Sequence, residues 1–366
     1  MSAATQELQS AVNARVQAVI ALHFDPEFGA PYWIEHAAKL NFDPRLTIRS
    51  AADLPKLGQM DGEALARLPV EAFIPRRFRA LLEQRIVVQT GGTLGTPKFA
   101  VHREDEFEAA FVKPFVAAAR RVNFPEKLSW LYLGPTGPHV IGRAARACAR
   151  ALGAPEPYCV DFDPRWAKKL PDASFARQRY VAHIEEQALQ ILNTQEVGVL
   201  FATPPVLESL GGKIHQARRL SIRGIHFGGM PVSDALRARL AEIFPNAILL
   251  SGYGNTLFGV APELEYQAGR GIDYFPHGQR LLYWVIQPEQ QRAPQDYATL
   301  VPYGERGQVL AHRLDEFQFI PNMLERDSAI RVAPPTTSAA DGFVLDGLRD
   351  PQPIIAATTP SALGLY

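Results

Sequence analysis

The sequence predicts an α/β protein: a largely parallel sheet flanked by helices, followed by a small β-rich subdomain. Three observations carry this reading. Short runs such as Trp130-Leu131-Tyr132-Leu133 are apolar at successive rather than alternate positions, the pattern of strands covered on both faces. Segments with helical spacing of apolar residues separate these runs, as in strand–helix–strand folds. Beyond residue 278 the helical spacing stops, and 280–286, 307–314 and 330–332 read as strands joined by turns.

The elements follow in order. Over 5–23, Leu8, Val12, Val16, Ile20 and Ala21 recur on one face, which predicts a helix. From there to about residue 80, helical pieces are interrupted by Pro31, Pro44, Pro55 and Pro69. A strand is expected at 86–88. A helix through Phe107, Phe111, Phe115, Ala118 and Val122 comes next, kinked at Pro114. Strands at 130–133, 197–201, 225–227 and 247–250 alternate with helices at 139–152, 178–192 and 233–244, the last with Ser233 as its N-cap. This divides the chain into a helical N-terminal segment (1–84), an α/β core (85–278), a β-rich subdomain (279–350) and a tail (351–366). The stretch after Pro334 reads as weakly structured.

Composition narrows the function. Among 366 residues, 38 Lys and Arg balance 38 Asp and Glu, so nothing suggests a nucleic-acid partner held through its phosphates. Two cysteines, Cys148 and Cys159, have no His or Cys at ligand spacing, which excludes a disulfide framework or a cysteine-based zinc site. The apolar run 16–22 is far shorter than a membrane span, so a cytoplasmic protein without a membrane partner is expected. No Gly-x-Ser-x-Gly elbow supports a hydrolase.

Three segments carry chemistry. Thr90-Gly91-Gly92-Thr93-Leu94-Gly95-Thr96-Pro97-Lys98 directly follows a strand. Its glycines let backbone N–H groups approach an anion, and its hydroxyls and lysine suit a polyphosphate. It is not a Walker A loop, because Pro97 precedes the lysine. Next, Phe227-Gly228-Gly229-Met230-Pro231 and Ser251-Gly252-Tyr253-Gly254-Asn255-Thr256 end consecutive strands, where an open parallel sheet forms its ligand crevice. The third runs through Gly304-Glu305-Arg306-Gly307 to Arg326-Asp327. Each alone reads equally well as turn chemistry.

Their order and spacing resemble the ANL superfamily of adenylate-forming enzymes, over about residues 85–330. Arg326-Asp327 is similar to its phenylacetate-CoA ligase branch. The resemblance implies ATP as cofactor. Thr90, Gly91, Gly92, Thr93, Gly95, Gly228, Gly229, Met230, Gly252, Tyr253, Gly254, Asn255, Thr256 and Asp327 would bind ATP or AMP. Thr90, Thr93, Lys98 and Thr256 would touch phosphates, Gly229 and Tyr253 the adenine, and Asp327 the ribose. Lys98, Thr256 and Arg326 are the catalytic candidates, and Tyr132, His139, Phe201, Phe227 and Phe258 the acid-pocket candidates. His226 is read as a satisfied interior histidine.

Two departures stand out. Leu257 replaces the family's magnesium-holding glutamate, so Mg²⁺ is expected to be weakly held, with Glu263 or Glu265 as weaker substitutes. Only 39 residues follow Asp327 and none is a lysine, so the family's C-terminal lid is expected to be absent. That resembles a truncated member acting in griseoluteic acid biosynthesis, an antibiotic of the phenazine class, and implies activation of an aromatic acid. A non-catalytic binding module, or a core served by a separate lid or acceptor protein, are the alternatives.

Overall fold

The structure, a computed structural model, describes residues 3–91, 96–163, 166, 169–171, 174–293, 296–335 and 339–354. Among these, thirteen strands form a hairpin and a sheet of eleven. The hairpin pairs β1 (Ile86–Gln89) with β2 (Phe99–His102). The rest are β3 (Trp130–Leu133), β4 (Tyr158–Val160), β5 (Val199–Ala202), β6 (Gly224–Gly228), β7 (Ile248–Asn255), β8 (Gly259–Gln267), β9 (Gly271–Tyr274), β10 (Leu281–Ile286), β11 (Arg306–Leu314), β12 (Phe319–Val332) and β13 (Gly347–Pro353). Their order in the sheet is β10-β11-β12-β13-β9-β8-β7-β6-β5-β3-β4.

The sheet is mixed. From β4 through β7 neighbours run parallel, and from β7 to β10 every pair is antiparallel. β8 joins the two parts, pairing with β7 through Gly259–Pro262 and with β9 through Glu263–Gln267. The β-rich residues therefore extend the parallel sheet at its edge. Residues 347–353, read from sequence as weakly structured, form the strand between β12 and β9.

The parallel strands are covered on both faces, as their unbroken apolar runs require. Trp130, Tyr132, Val199 and Phe201 join a core under helices Lys113–Arg121 and Val140–Ala151. Leu131, Leu200, Ile225 and Phe227 join a second core under helices Phe175–Thr194, Pro204–Gly211 and Asp234–Ile243. The N-terminal helix Ala3–His23 buries Val12, Val16, Val19 and Ile20 in the first core, and Arg15 Nε donates to Leu314 O at 2.8 Å.

The helix expected to kink at Pro114 is irregular just before it. A π-helical turn, Glu108–Val112, precedes the proline, because proline has no N–H to donate to the Ala110 carbonyl one turn back. Gly259 packs against that carbonyl. Its φ is +109°, and a Cβ there would lie 2.5 Å from Ala110 O, so this close approach requires glycine. The contact ties the β7–β8 turn to the helix beneath it.

Candidate functional site

The carboxyl ends of the parallel strands β3, β5, β6 and β7 are where an open sheet of this kind forms its ligand crevice, and further candidate residues lie beside the β1–β2 hairpin and on β12. Thr90 and Lys98 close the base of the Gly-rich loop. Thr90 N–H donates to Lys98 O at 2.8 Å, and Lys98 N–H donates to Thr90 Oγ1 at 2.9 Å. Lys98 Nζ lies 3.4 Å from Glu63. Gly91 is half-buried, while Gly92, Thr93 and Gly95 lie outside the described residues.

Gly228 ends β6 opposite Gly252 of β7. Gly229 follows with φ +90°, a left-handed turn that favours glycine. It carries the chain through half-buried Met230 to Ser233, whose Oγ accepts from Leu236 N–H at 3.2 Å as the expected N-cap.

Side chains of β7 and β12 meet although β13, β9 and β8 stand between the two strands in the sheet. Tyr253 O–H donates to Asp327 Oδ2 at 2.8 Å, and the Tyr253 ring lies 5.9 Å from that of Tyr283. Burial raises the Tyr253 phenol well above its ordinary value, and the Asp327 and Glu325 charges push the same way. Burial also raises the Asp327 carboxyl, against the hydrogen bond from Tyr253. Glu325, two residues back on the same face of β12, was not singled out in the sequence. Its carboxyl is raised to about 7 by burial and by Asp327.

The turn after β7 is shaped by Asn255 rather than left open to a ligand. Asn255 Oδ1 accepts from Leu257 and Phe258 N–H at 2.9 and 3.2 Å, and Nδ2 donates to Glu325 at 3.3 Å. Gly254 is required by the backbone of Gly259 and Val260, into which a side chain would run. Thr256, half-buried, sits at the apex.

A buried charge cluster holds this turn from behind. Arg280 Nη1 donates to Phe258 O at 2.5 Å, and Arg313 Nη1 donates to Leu257 O at 3.1 Å. Arg313 Nη2 also donates to Val101 O at 2.7 Å, so one guanidinium links the turn to β2. Asp315 accepts from both arginines. Spacing in the sequence gave no sign of this cluster, whose members meet only through the strand pairing.

The acid-pocket candidates divide. Tyr132 and Phe201 share one face, with ring centroids 5.4 Å apart. His226, paired with Phe201 across β5 and β6, lies on that face at 4.4 Å. Phe227 points the other way into the second core, and Phe258 is wholly buried in the first. His139 occupies the N-cap position of helix Val140–Ala151 without a side-chain capping bond. Arg326 is exposed on the face of β12 opposite Glu325 and Asp327, so alternation separates it from the Asp327 carboxylate.

The magnesium substitutes are committed elsewhere. Glu263 accepts from Ser251 Oγ at 2.8 Å and pairs with Arg237 at 2.7 Å, while Glu265 pairs with Arg270 at 3.0 Å. Leu257 is buried in the first core. Among the described residues, no group of three or more His, Cys, Asp or Glu side chains is placed to hold a metal ion. The oxygen donors at the turn are Thr256 and Glu325, a set that suits Mg²⁺ only together with phosphate oxygens and water. Leu257→Glu is therefore expected to destabilise the fold by at least about 2 kcal/mol at pH 8, and by less at pH 4 where the carboxyl is neutral. Urea denaturation at the two pH values checks this; equal midpoints to the native protein at pH 8 would contradict the packing.

Among the described residues no helix is long and apolar enough to cross a membrane. No family model matches the chain, and no curated protein matches it in sequence. Solved structures do. One is 2-hydroxyisobutyryl-CoA ligase in complex with 2-HIB-AMP and CoA in the thioesterification state, with TM-score 0.67, 16% identity, and coverage of 99% of this chain and 71% of that one. Another is an open conformation of the same ligase with the same ligands, with TM-score 0.64, 15% identity, and coverage of 94% and 69%. At these identities the likeness is one of fold, and the chain has the α/β fold of the N-terminal core of adenylate-forming enzymes.

Proposed function

We propose that this chain binds ATP and a carboxylic acid in the crevice and joins them as an acyl-adenylate. A carboxylate oxygen attacks the α-phosphorus, the bond to the bridging oxygen breaks, and pyrophosphate leaves with the electron pair. The observation that carries this reading is the Tyr253–Asp327 hydrogen bond. It couples an aromatic ring and a carboxylate, suited to a base and a ribose, beside the Thr256 turn. The described end of the Gly-rich loop supports it: Lys98 and Thr90 stand at the base of a loop suited to phosphates. Lys98 is the favoured catalytic cation, because Arg326 faces away from Asp327. Catalysis would come from positioning and charge neutralisation.

The acid is a compact one in this reading. Tyr132 and Phe201 are 2% and 6% exposed, so these candidates offer little ring surface for a phenazine-sized acid to stack on. The ligase of the same fold is solved with 2-HIB-AMP and CoA, which supports a small acyl group and leaves coenzyme A or a carrier thiol as the acceptor to test.

Leu257 favours a second reading, a nucleotide- and acid-binding module without turnover, because it places an apolar side chain where a magnesium ligand would assist. ATP–pyrophosphate exchange with a panel of short carboxylic acids, followed by mass spectrometry for acyl-AMP and acyl-CoA, separates the two. Exchange with an acyl-AMP product is expected. Selective binding of ATP and acid with no exchange would leave the binding module.

A further inference from the structure

We propose that His226 reads a hydroxyl group on the acid, which makes the crevice selective for a compact hydroxy acid. The inference rests on the adenylation reading for the identity of the crevice, and adds what its occupant must carry.

Tyr132, Phe201, His226 and Leu250 stand side by side across β3, β5, β6 and β7. Phe115 covers the histidine from the helix above, at 4.7 Å between centroids, with Phe201 at 4.4 Å. His226 Nδ1 lies 2.8 Å from Leu250 O. A carbonyl oxygen only accepts, so Nδ1 carries the proton and Nε2 of the neutral ring is a bare acceptor. Burial lowers the imidazole to about 4, against the Leu250 hydrogen bond, so the ring is neutral at physiological pH.

Nε2 is also open. None of the hydrogen bonds found for His226 among the described residues involves it, and it is not one of the fully buried atoms left without a partner. It therefore keeps a small accessible area in a residue that is otherwise buried, 7% exposed. Gly252 packs beside this ring: a Cβ there would lie 3.5 Å from His226 Cε1, an ordinary contact, and 2.9 Å from Val260 Cγ2.

The chemistry of the occupant follows. A lone pair at Nε2 repels a carboxylate oxygen. An ammonium group would be desolvated without a counter-charge, because burial and the Leu250 carbonyl are the influences that shift this histidine. A neutral donor is required, and a hydroxyl is the smallest that can reach Nε2 beside the packed rings of Phe115 and Phe201.

The test compares acids that differ in one group: 2-hydroxyisobutyrate with isobutyrate, lactate with propionate, 3-hydroxybutyrate with butyrate, and 2-aminoisobutyrate as the ammonium control. Calorimetric titration in the presence of ATP should show at least one hydroxy acid binding about 10- to 100-fold tighter than its deoxy partner. His226→Leu should bring that pair within about threefold, and His226→Gln, which retains an acceptor, should keep part of the preference. The ¹⁵N resonance of His226 Nε2 should move with the hydroxy acid and stay with the deoxy acid. The proposal is overturned if no acid in the panel binds, if no pair is discriminated, if 2-aminoisobutyrate binds best, or if His226→Leu keeps the preference. Selective binding without ATP–pyrophosphate exchange would instead sink the adenylation reading and leave the role of His226 standing.

Discussion

Asp315→Ala is expected to lower the stability of the protein by about 3–5 kcal/mol, the usual cost of stripping the partner from a buried charge. Asp315 and Arg313 are wholly buried, and Arg280 nearly so. The carboxylate accepts from Arg280 Nε at 2.9 Å, Arg280 Nη2 at 2.5 Å and Arg313 Nε at 2.7 Å. Its removal leaves two guanidinium groups without their counter-ion. The pH dependence has a definite sign. Burial alone would raise the Asp315 carboxyl, but Arg280 and Arg313 outweigh it and hold it well below the usual carboxylate range. A depressed folded value means the stabilisation is complete above about pH 4, near the unfolded value, and is lost as pH falls below it. The difference between wild type and variant should therefore narrow in acid. Because the same arginines hold the carbonyls of Leu257 and Phe258, the variant should also bind nucleotide more weakly under conditions where it remains folded. Urea denaturation at pH 7 and pH 3 tests this, and a loss below about 1 kcal/mol at pH 7 would show that the cluster is solvated.

Much of the parallel half was legible because its strands obey a single rule: apolar on both faces and separated by helices. β3, β5, β6 and β7 all carry it, and parallel strands place the loops that follow them at one end of the sheet. The antiparallel half followed other rules. β12 runs for 14 residues, yet Pro321, Asn322, Glu325, Arg326 and Asp327 make its middle read as a turn, since its extension comes from β11 and β13 on either side. β8 begins at Gly259 and carries Pro262, Glu263 and Glu265, so no apolar run announces it. Glu263 looked like a surface carboxylate, and only the pairing of β7 with β8 brings it to Ser251 and Arg237.

Within the site, strand parity decided what the motifs left open. Phe227 and His226 are neighbours, so only one can face the crevice, and the pairing of His226 with Phe201 gives it to the histidine. The same period of two relates Glu325 to Asp327. Had Asp327 been placed on a strand, its partner two residues earlier was readable. The charge cluster behind the turn had no such signal, because Arg280, Arg313 and Asp315 are apart in sequence or spaced like any surface charges.

That pair of carboxylates leads to the second large effect. Asp327→Ala should weaken AMP and ATP alike by about 10- to 100-fold, corresponding to about 1–3 kcal/mol for hydrogen bonds to a partly buried carboxylate. Glu325→Gln should act differently. Its carboxyl titrates at about 7, raised by burial and by the Asp327 charge, and it sits beside Asn255 at the Thr256 turn. Below that pH it is neutral and tolerates an approaching phosphate. Above it, a second anion stands next to Asp327 and repels the nucleotide. Metal-free ATP should therefore bind roughly tenfold more weakly at pH 8.5 than at pH 6, a factor corresponding to a shift of one pKa unit on binding. AMP, with less phosphate charge, should show less of this dependence. Glu325→Gln should remove it while retaining the affinity seen at pH 6, and added Mg²⁺ should reduce it in the wild type by shielding the phosphates. Calorimetric titrations across that range decide the matter: a flat profile in the wild type, or one that survives in Glu325→Gln, would place the phosphates away from this turn, and AMP binding unchanged in Asp327→Ala would remove the ribose from β12.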